Sequence, residues 1–172
     1  MVSKKLSSLN FSKDFIELLI AFHRKKVKYM VIGGQAVIYY GHVRLTGDID
    51  IFYDNSAENV TKLFNALMEF WAGDIPGITS KEQLMEPNLI VQFGVPPNRI
   101  DLLNTIEKIA FQEAWKNRQI TQITDVRNEI EVNFIGLNEL IKNKEAVNRP
   151  RDLEDIKFLK TLLQHKKGKS KN

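Results

Sequence analysis

The sequence contains no cysteine. That excludes a disulfide framework and any thiolate metal site, and it accords with a reducing, cytoplasmic setting, the expected location. Histidine is almost as scarce: His23, His42 and His165 are the only three. Neither His23 nor His165 has a partner at metal-ligand spacing. No stretch approaches the roughly 20 consecutive apolar residues of a membrane helix. The start, Met1-Val-Ser-Lys-Lys-Leu6, has no apolar run behind it, so neither a membrane span nor a secretion signal is expected. Asn10-Phe-Ser12 then matches a glycosylation acceptor by chance.

Aromatic–basic nucleic-acid motifs are absent too. The formal net charge is +4, and much of the excess lies in the run from His165 to Lys171. Residues 166–172 read as a basic disordered tail, able to add a salt-sensitive attraction to nucleic acid but not indicating a nucleic-acid partner. The remainder, 1–165, reads as a single domain long enough to bury a core.

Ser12 can cap a helix reaching about Lys26, with Phe15, Leu18, Leu19 and Phe22 at helical spacing. Tyr29–Ile32 reads as a buried strand broken by Gly33-Gly34, and residues 35–40 as a short helix. Asp48–Tyr53 is a second strand. Asn55-Ser-Ala-Glu58 has the form of a capping box before a helix to about Trp71. Residues 80–85 read as a helical turn. Leu89–Phe93 and Arg99–Leu103 form a hairpin around Gly94–Asn98. A helix over 109–117, strands over 119–124 and 129–134 around a turn at 125–128, and helices over 137–147 and 150–164 complete the pattern. The fold class is α+β (α/β-like), a mixed central sheet flanked by helices, with C-terminal helices.

What is present, against these absences, is a set of carboxylates in unusual places. Alternate side chains of a strand share a face, so Asp48 and Asp50 point one way while Ile49 and Ile51 point into the core. Two carboxylates about 7 Å apart along one strand can hold a hard cation such as Mg²⁺. Asp101 stands alone between Ile100 and Leu102 in another apolar strand. If the two strands are neighbours, the three converge, bind metal, and leave Asp101 able to accept a hydroxyl proton. Gly33-Gly34 permits close approach to the backbone at a strand–helix junction, and Arg44 and Thr46 stand between the two motifs with a phosphate-pairing guanidinium and a hydroxyl. Tyr39, Tyr40 and Phe93 are candidates for stacking on a base, and His42 for approaching phosphate. Trp71 and Trp115 are expected on the core margin.

Together, Ile32-Gly33-Gly34, a spacer, Asp48-Ile49-Asp50-Ile51 and the later Ile100-Asp101-Leu102 resemble the nucleotidyltransferase superfamily of the DNA polymerase β type. A second motif, running from Lys144 through Arg149-Pro-Arg151-Asp152-Leu-Glu-Asp155, resembles the closing motif of small bacterial members. These include the AbiEii-like toxins, which are longer, and the minimal nucleotidyltransferase antitoxins, which are shorter. Lincosamide-type antibiotic nucleotidyltransferases are similar in length and in the Gly-Gly and Asp-x-Asp parts. The resemblance implies an enzyme that binds a nucleoside triphosphate such as ATP with Mg²⁺ or Mn²⁺. It would transfer a nucleoside monophosphate to an unknown acceptor (RNA, protein or small molecule) and release pyrophosphate. Asp48, Asp50 and Asp101 are then the catalytic and metal residues, and Gly33, Gly34, Arg44, Thr46, Lys144, Arg151 and Asp152 the nucleotide-binding ones. It also implies a toxin–antitoxin or phage-defence setting with a toxin or antitoxin partner. The alternative implication is a non-catalytic member that binds nucleotide or acts as an antitoxin-like partner.

Overall fold

The computed structural model describes residues 9, 11–124 and 129–169. The turn expected at 125–128 and residues 170–172 of the tail lie outside them. Along the chain run α1 (Lys13–Lys25), β1 (Tyr29–Ile32), α2 (Gly33–Tyr39), β2 (Asp48–Tyr53), α3 (Ala57–Phe70), a 3-10 turn (Lys81–Met85), β3 (Ile90–Phe93), β4 (Arg99–Leu103), α4 (Phe111–Asn117), β5 (Gln119–Thr124), β6 (Glu129–Phe134), α5 (Leu137–Val147) and α6 (Asp152–Lys169).

The strands form one six-stranded mixed sheet in the order β3-β4-β2-β1-β6-β5, an α+β arrangement. β2 lies between β1, antiparallel, and β4, parallel. The core strands are apolar on both faces except where the carboxylates stand. Tyr29 pairs with Tyr53 and Val31 with Ile51, which puts Tyr29, Val31, Ile49, Ile51 and Tyr53 on one face. Phe22 of α1 meets Tyr29 edge-on at 5.1 Å, so α1, and α3 packed against it, cover that face. Ile49 and Ile51 are fully buried there, each worth about 1.5–3 kcal/mol of hydrophobic stabilisation. This leaves Asp48 and Asp50 on the opposite face. Phe52 shares that side and is covered by Phe111 of α4 at 5.1 Å.

The helix starts show how local chemistry set the boundaries. Ser12 Oγ accepts the N–H of Phe15 at the head of α1. At α3 the cap is Ser56, not a box from Asn55 to Glu58. Ser56 Oγ accepts the N–H of Asn59, and Glu58 pairs with Lys62 one turn on at 2.6 Å. A reach-back contact of the box type forms instead at Gln83, whose Oε1 accepts the N–H groups of Thr79 and Ser80. Ile109 bridges to Ile106, which delays α4 to Phe111. The regular part of α6 begins at Asp152, after a turn at Pro150 and Arg151 that the Asp152 carboxylate closes by accepting the N–H of Arg149 at 3.1 Å, the reach-back contact of a capping box. It runs past Gln164 to Lys169, into the basic stretch. Lysines are good helix formers and favour the negative end of the helix dipole. Among the described residues, no helix is long and apolar enough to cross a membrane.

Candidate active site

β2 and β4 run side by side with Asp50 directly beside Asp101. One oxygen from each of Asp48, Asp50 and Asp101 lies within 4.8 Å of the others, so the three carboxylates expected to meet do meet. Thr46 donates its hydroxyl to Asp48 Oδ1 at 2.6 Å. Arg99 reaches across the cluster. Its Nη2 donates to Asp48 Oδ2 at 2.7 Å, and it grips Asp101 through Nε at 2.9 Å and Nη2 at 3.0 Å. Gln92, opposite Asp101 in the β3–β4 hairpin, donates to Asp101 Oδ2 at 3.0 Å.

Asp50 is different. Among the described residues no donor bonds its side chain. Burial, then the charges of Asp48 and Asp101, push its carboxyl up to about 7, opposed by Arg99 and Arg149. A carboxylate in this state is an unmet demand for positive charge.

The two glycines serve the same cluster. A Cβ on Gly33, whose φ is +60°, would lie 1.9 Å from Asp50 Oδ2, and one on Gly34 would lie 2.8 Å from Thr46 Oγ1. Only glycine lets Asp50 and Thr46 sit against this backbone. The pair begins α2 directly instead of forming a separate turn.

A second group of charges joins α5, α6 and the segment before β2. Lys144 Nζ bonds Asp152 Oδ1 at 2.7 Å and Asp155 Oδ2 at 2.8 Å, and all three side chains are buried. Arg44 Nη1 also bonds Asp155 Oδ2, and His42 Nε2 lies 3.9 Å from Asp155 Oδ1 while its ring packs at a tilt on Phe158. Two cations thus meet two carboxylates. Arg44 and Lys144 are engaged with α6, and His42 faces protein.

Between the two groups lies a cleft of ≈ 220 Å³. Gly33, Asp50, Lys144, Arg149 and Asp152 line one part of it, and Ile90, Leu103, Ile106 and Val147, with Thr105, Glu107 and Asn143, the rest. Leu103 shares the face of Asp101 one strand repeat further on, about 7 Å away, so the apolar part extends along β4 from the carboxylates. Of the residues expected to hold nucleotide, Gly33, Lys144 and Asp152 line this cleft, while Gly34, Arg44 and Thr46 are not part of its lining. Arg151 is exposed and outside its lining. Arg149 also lines it, and among the described residues its guanidinium has no ion-pair partner.

The candidates for stacking on a base all turn elsewhere. Tyr39 stacks on Phe134 at 4.1 Å, Tyr40 donates to the Ile135 carbonyl, and Phe93 packs on Trp71 at 4.3 Å. The walls of the cleft are aliphatic. Trp71 and Trp115 sit on the core margin as expected. Arg99, Gln92 and Arg149 were the residues that sequence reasoning passed over. Arg99 carried a readable signal: two residues before Asp101 in the same strand, it must share its face.

Comparison with curated proteins returns no match. The family model of nucleotidyltransferases of unknown function (DUF6036) matches residues 8–164, and the chain belongs to that family.

Proposed function

We propose that the protein is a divalent-metal-dependent nucleotidyltransferase that moves a nucleoside monophosphate from a nucleoside triphosphate to an acceptor hydroxyl or phosphate. The observation that carries this reading is the convergence of Asp48, Asp50 and Asp101 beside a cleft. Opposite ligand oxygens around one Mg²⁺ stand about 4.2 Å apart, twice the usual metal–oxygen distance. A set lying within 4.8 Å needs only small side-chain adjustments to match that spacing. The hard oxygen donors, and an Asp50 without a bonded partner, fit Mg²⁺ or Mn²⁺. Bound there, the metal would supply Lewis-acid stabilisation of the triphosphate and of the attacking oxygen.

The chain's own groups have distinct tasks. Asp48 and Asp50 present ligand oxygens from one strand face, with Thr46 fixing the rotamer of Asp48. Asp101 is oriented by Arg99 and Gln92. Its Oδ1 accepts one bond, from Arg99 Nε, which leaves a lone pair for an acceptor hydroxyl proton. As the acceptor's hydroxyl oxygen gives up that proton to Asp101 and bonds to the α-phosphorus, the bond from the α-phosphorus to the β-phosphate oxygen breaks and pyrophosphate leaves. Arg149, at the cleft beside Asp50, offers its guanidinium to phosphate oxygens. The acceptor is an RNA, a protein or a small molecule.

Transfer of α-phosphate label from each triphosphate, in Mg²⁺ and in Mn²⁺, tests this, with Asp50→Ala as the control. Absence of both metal-dependent nucleotide binding and transfer in the wild-type protein overturns it. One observation favours a second reading. Arg99 already spans Asp48 and Asp101, as it would in a member that binds nucleotide without turning it over. Metal-dependent binding without label transfer to any acceptor selects that reading.

A further inference from the structure

The cleft beyond the carboxylates has a polarity of its own. Its walls are Ile90, Leu103, Ile106 and Val147. Ile90 is 60% exposed, a large apolar side chain left open beside a charged site. A flat ring sliding between these walls would cover it. The cleft's volume of ≈ 220 Å³ is below the roughly 300–1,000 Å³ of a complete small-ligand pocket. It suits a base and sugar, with the phosphates over the carboxylates and Arg149.

The polar groups among these walls are acceptors. Glu107 presents a carboxylate with no bonded partner among the described residues. Asn143 spends a donor on the Glu107 carbonyl at 3.1 Å and leaves its Oδ1 free. Thr105 donates its hydroxyl proton to Asn104 Oδ1 at 3.2 Å, so its oxygen faces outward as an acceptor. Of the cleft's cations, Lys144 is held by Asp152 through its ammonium, while Arg149 bonds Asp152 only through its backbone N–H, and its guanidinium stays with the phosphates.

An acceptor-lined base pocket selects the ring with the most donors on one edge. Guanine carries N1–H and the 2-amino group side by side, a match for the two oxygens of one carboxylate. Adenine and cytosine each place a ring-nitrogen acceptor next to the amino group. Uracil sets its single N–H between two carbonyls. Either arrangement points a lone pair at Glu107. We infer that the cleft is selective for guanine nucleotides, with Glu107 reading the N1–H and 2-amino edge and Asn143 Oδ1 assisting. This rests on the nucleotidyltransferase reading above, and it names the donor substrate.

The test is calorimetric titration of the full chain with GTP, ITP, ATP, CTP and UTP in Mg²⁺, repeated with Glu107→Gln. Glu107 is exposed in a turn, so the variant keeps the fold. Wild type is expected to bind GTP at least tenfold more tightly than ATP, CTP or UTP. ITP, which lacks the 2-amino group, should bind about tenfold more weakly than GTP. Glu107→Gln should bring GTP to within threefold of ATP. Equal binding of all four common triphosphates, a preference for another base, or a guanine preference that survives in Glu107→Gln overturns the inference and leaves the nucleotidyltransferase reading standing. Binding of no triphosphate overturns both.

Discussion

Two charged groups flank the same cleft, and they are built on opposite terms. Around Asp155, Lys144 and Arg44 meet two carboxylates, and the buried charges cancel. Around Asp50, three carboxylates share one guanidinium, and the one most in need of a cation has none bonded. A buried ion pair that balances is architecture: it fixes α6 against α5 and against the segment leading into β2. A cluster that does not balance costs stability, and a protein keeps such a cluster where something else arrives to neutralise it. Proximity to the cleft therefore does not separate the residues proposed to take a ligand from those holding the walls. Charge balance does.

That contrast can be broken at either group. The largest effect belongs to the unbalanced one: Asp50→Ala should lower label transfer by roughly 10³-fold, the several kcal/mol that metal stabilisation supplies. It should leave the urea midpoint of the metal-free protein unchanged or raised. Next comes the balanced group. Asp155→Ala strands Arg44 and leaves Lys144 to Asp152 alone, and should cost about 3–5 kcal/mol in urea unfolding. Equal loss of stability in the two variants would erase the distinction.

The third effect is a pH dependence carried by Asp50. Its carboxyl titrates near 7 in the folded chain against 3.8 as the ordinary value. Between these the folded state holds a proton that the unfolded state has released. The contribution of this one carboxyl to stability is therefore full below about pH 4, is lost as pH rises towards 7, and is gone above it. In metal-free protein the fall should be roughly 2 kcal/mol between pH 5 and 8 and absent in Asp50→Asn. Saturating Mg²⁺ should flatten it, since the cation replaces the proton. The smallest effect compares neighbours in the closing motif: Arg149→Ala should raise the KM for triphosphate about tenfold, and Arg151→Ala should raise it less.

Much of the frame was legible in the sequence. β1, β2, β4, β5, β6 and α5 fall at the expected bounds, because short apolar runs fenced by glycine, proline and polar turns leave few other choices. The shared face of Asp48 and Asp50 follows from strand parity alone. The partners did not, for physical reasons. That Asp101 stands beside Asp50 depends on the parallel pairing of β2 with β4, and no local signal encodes which strands become neighbours. Arg44 meets Asp155 across 111 residues. Arg44 and Lys144 look like phosphate ligands in one dimension, and only packing shows the carboxylates that already hold them. The start of α6 differs by two residues: Pro150 and Arg151 stand in a turn that leads into the helix, and the Asp152 carboxylate closes that turn on the Arg149 N–H.

The central claim is that Asp50 and its neighbours form a metal site. Electron paramagnetic resonance of Mn²⁺, titrated into the wild-type chain and into Asp50→Asn with and without triphosphate, measures it directly. The account predicts saturable Mn²⁺ binding in wild type, tightened by triphosphate and weakened at least tenfold by the substitution. Mn²⁺ that stays free in the presence of wild-type protein, or that binds Asp50→Asn equally well, would contradict it.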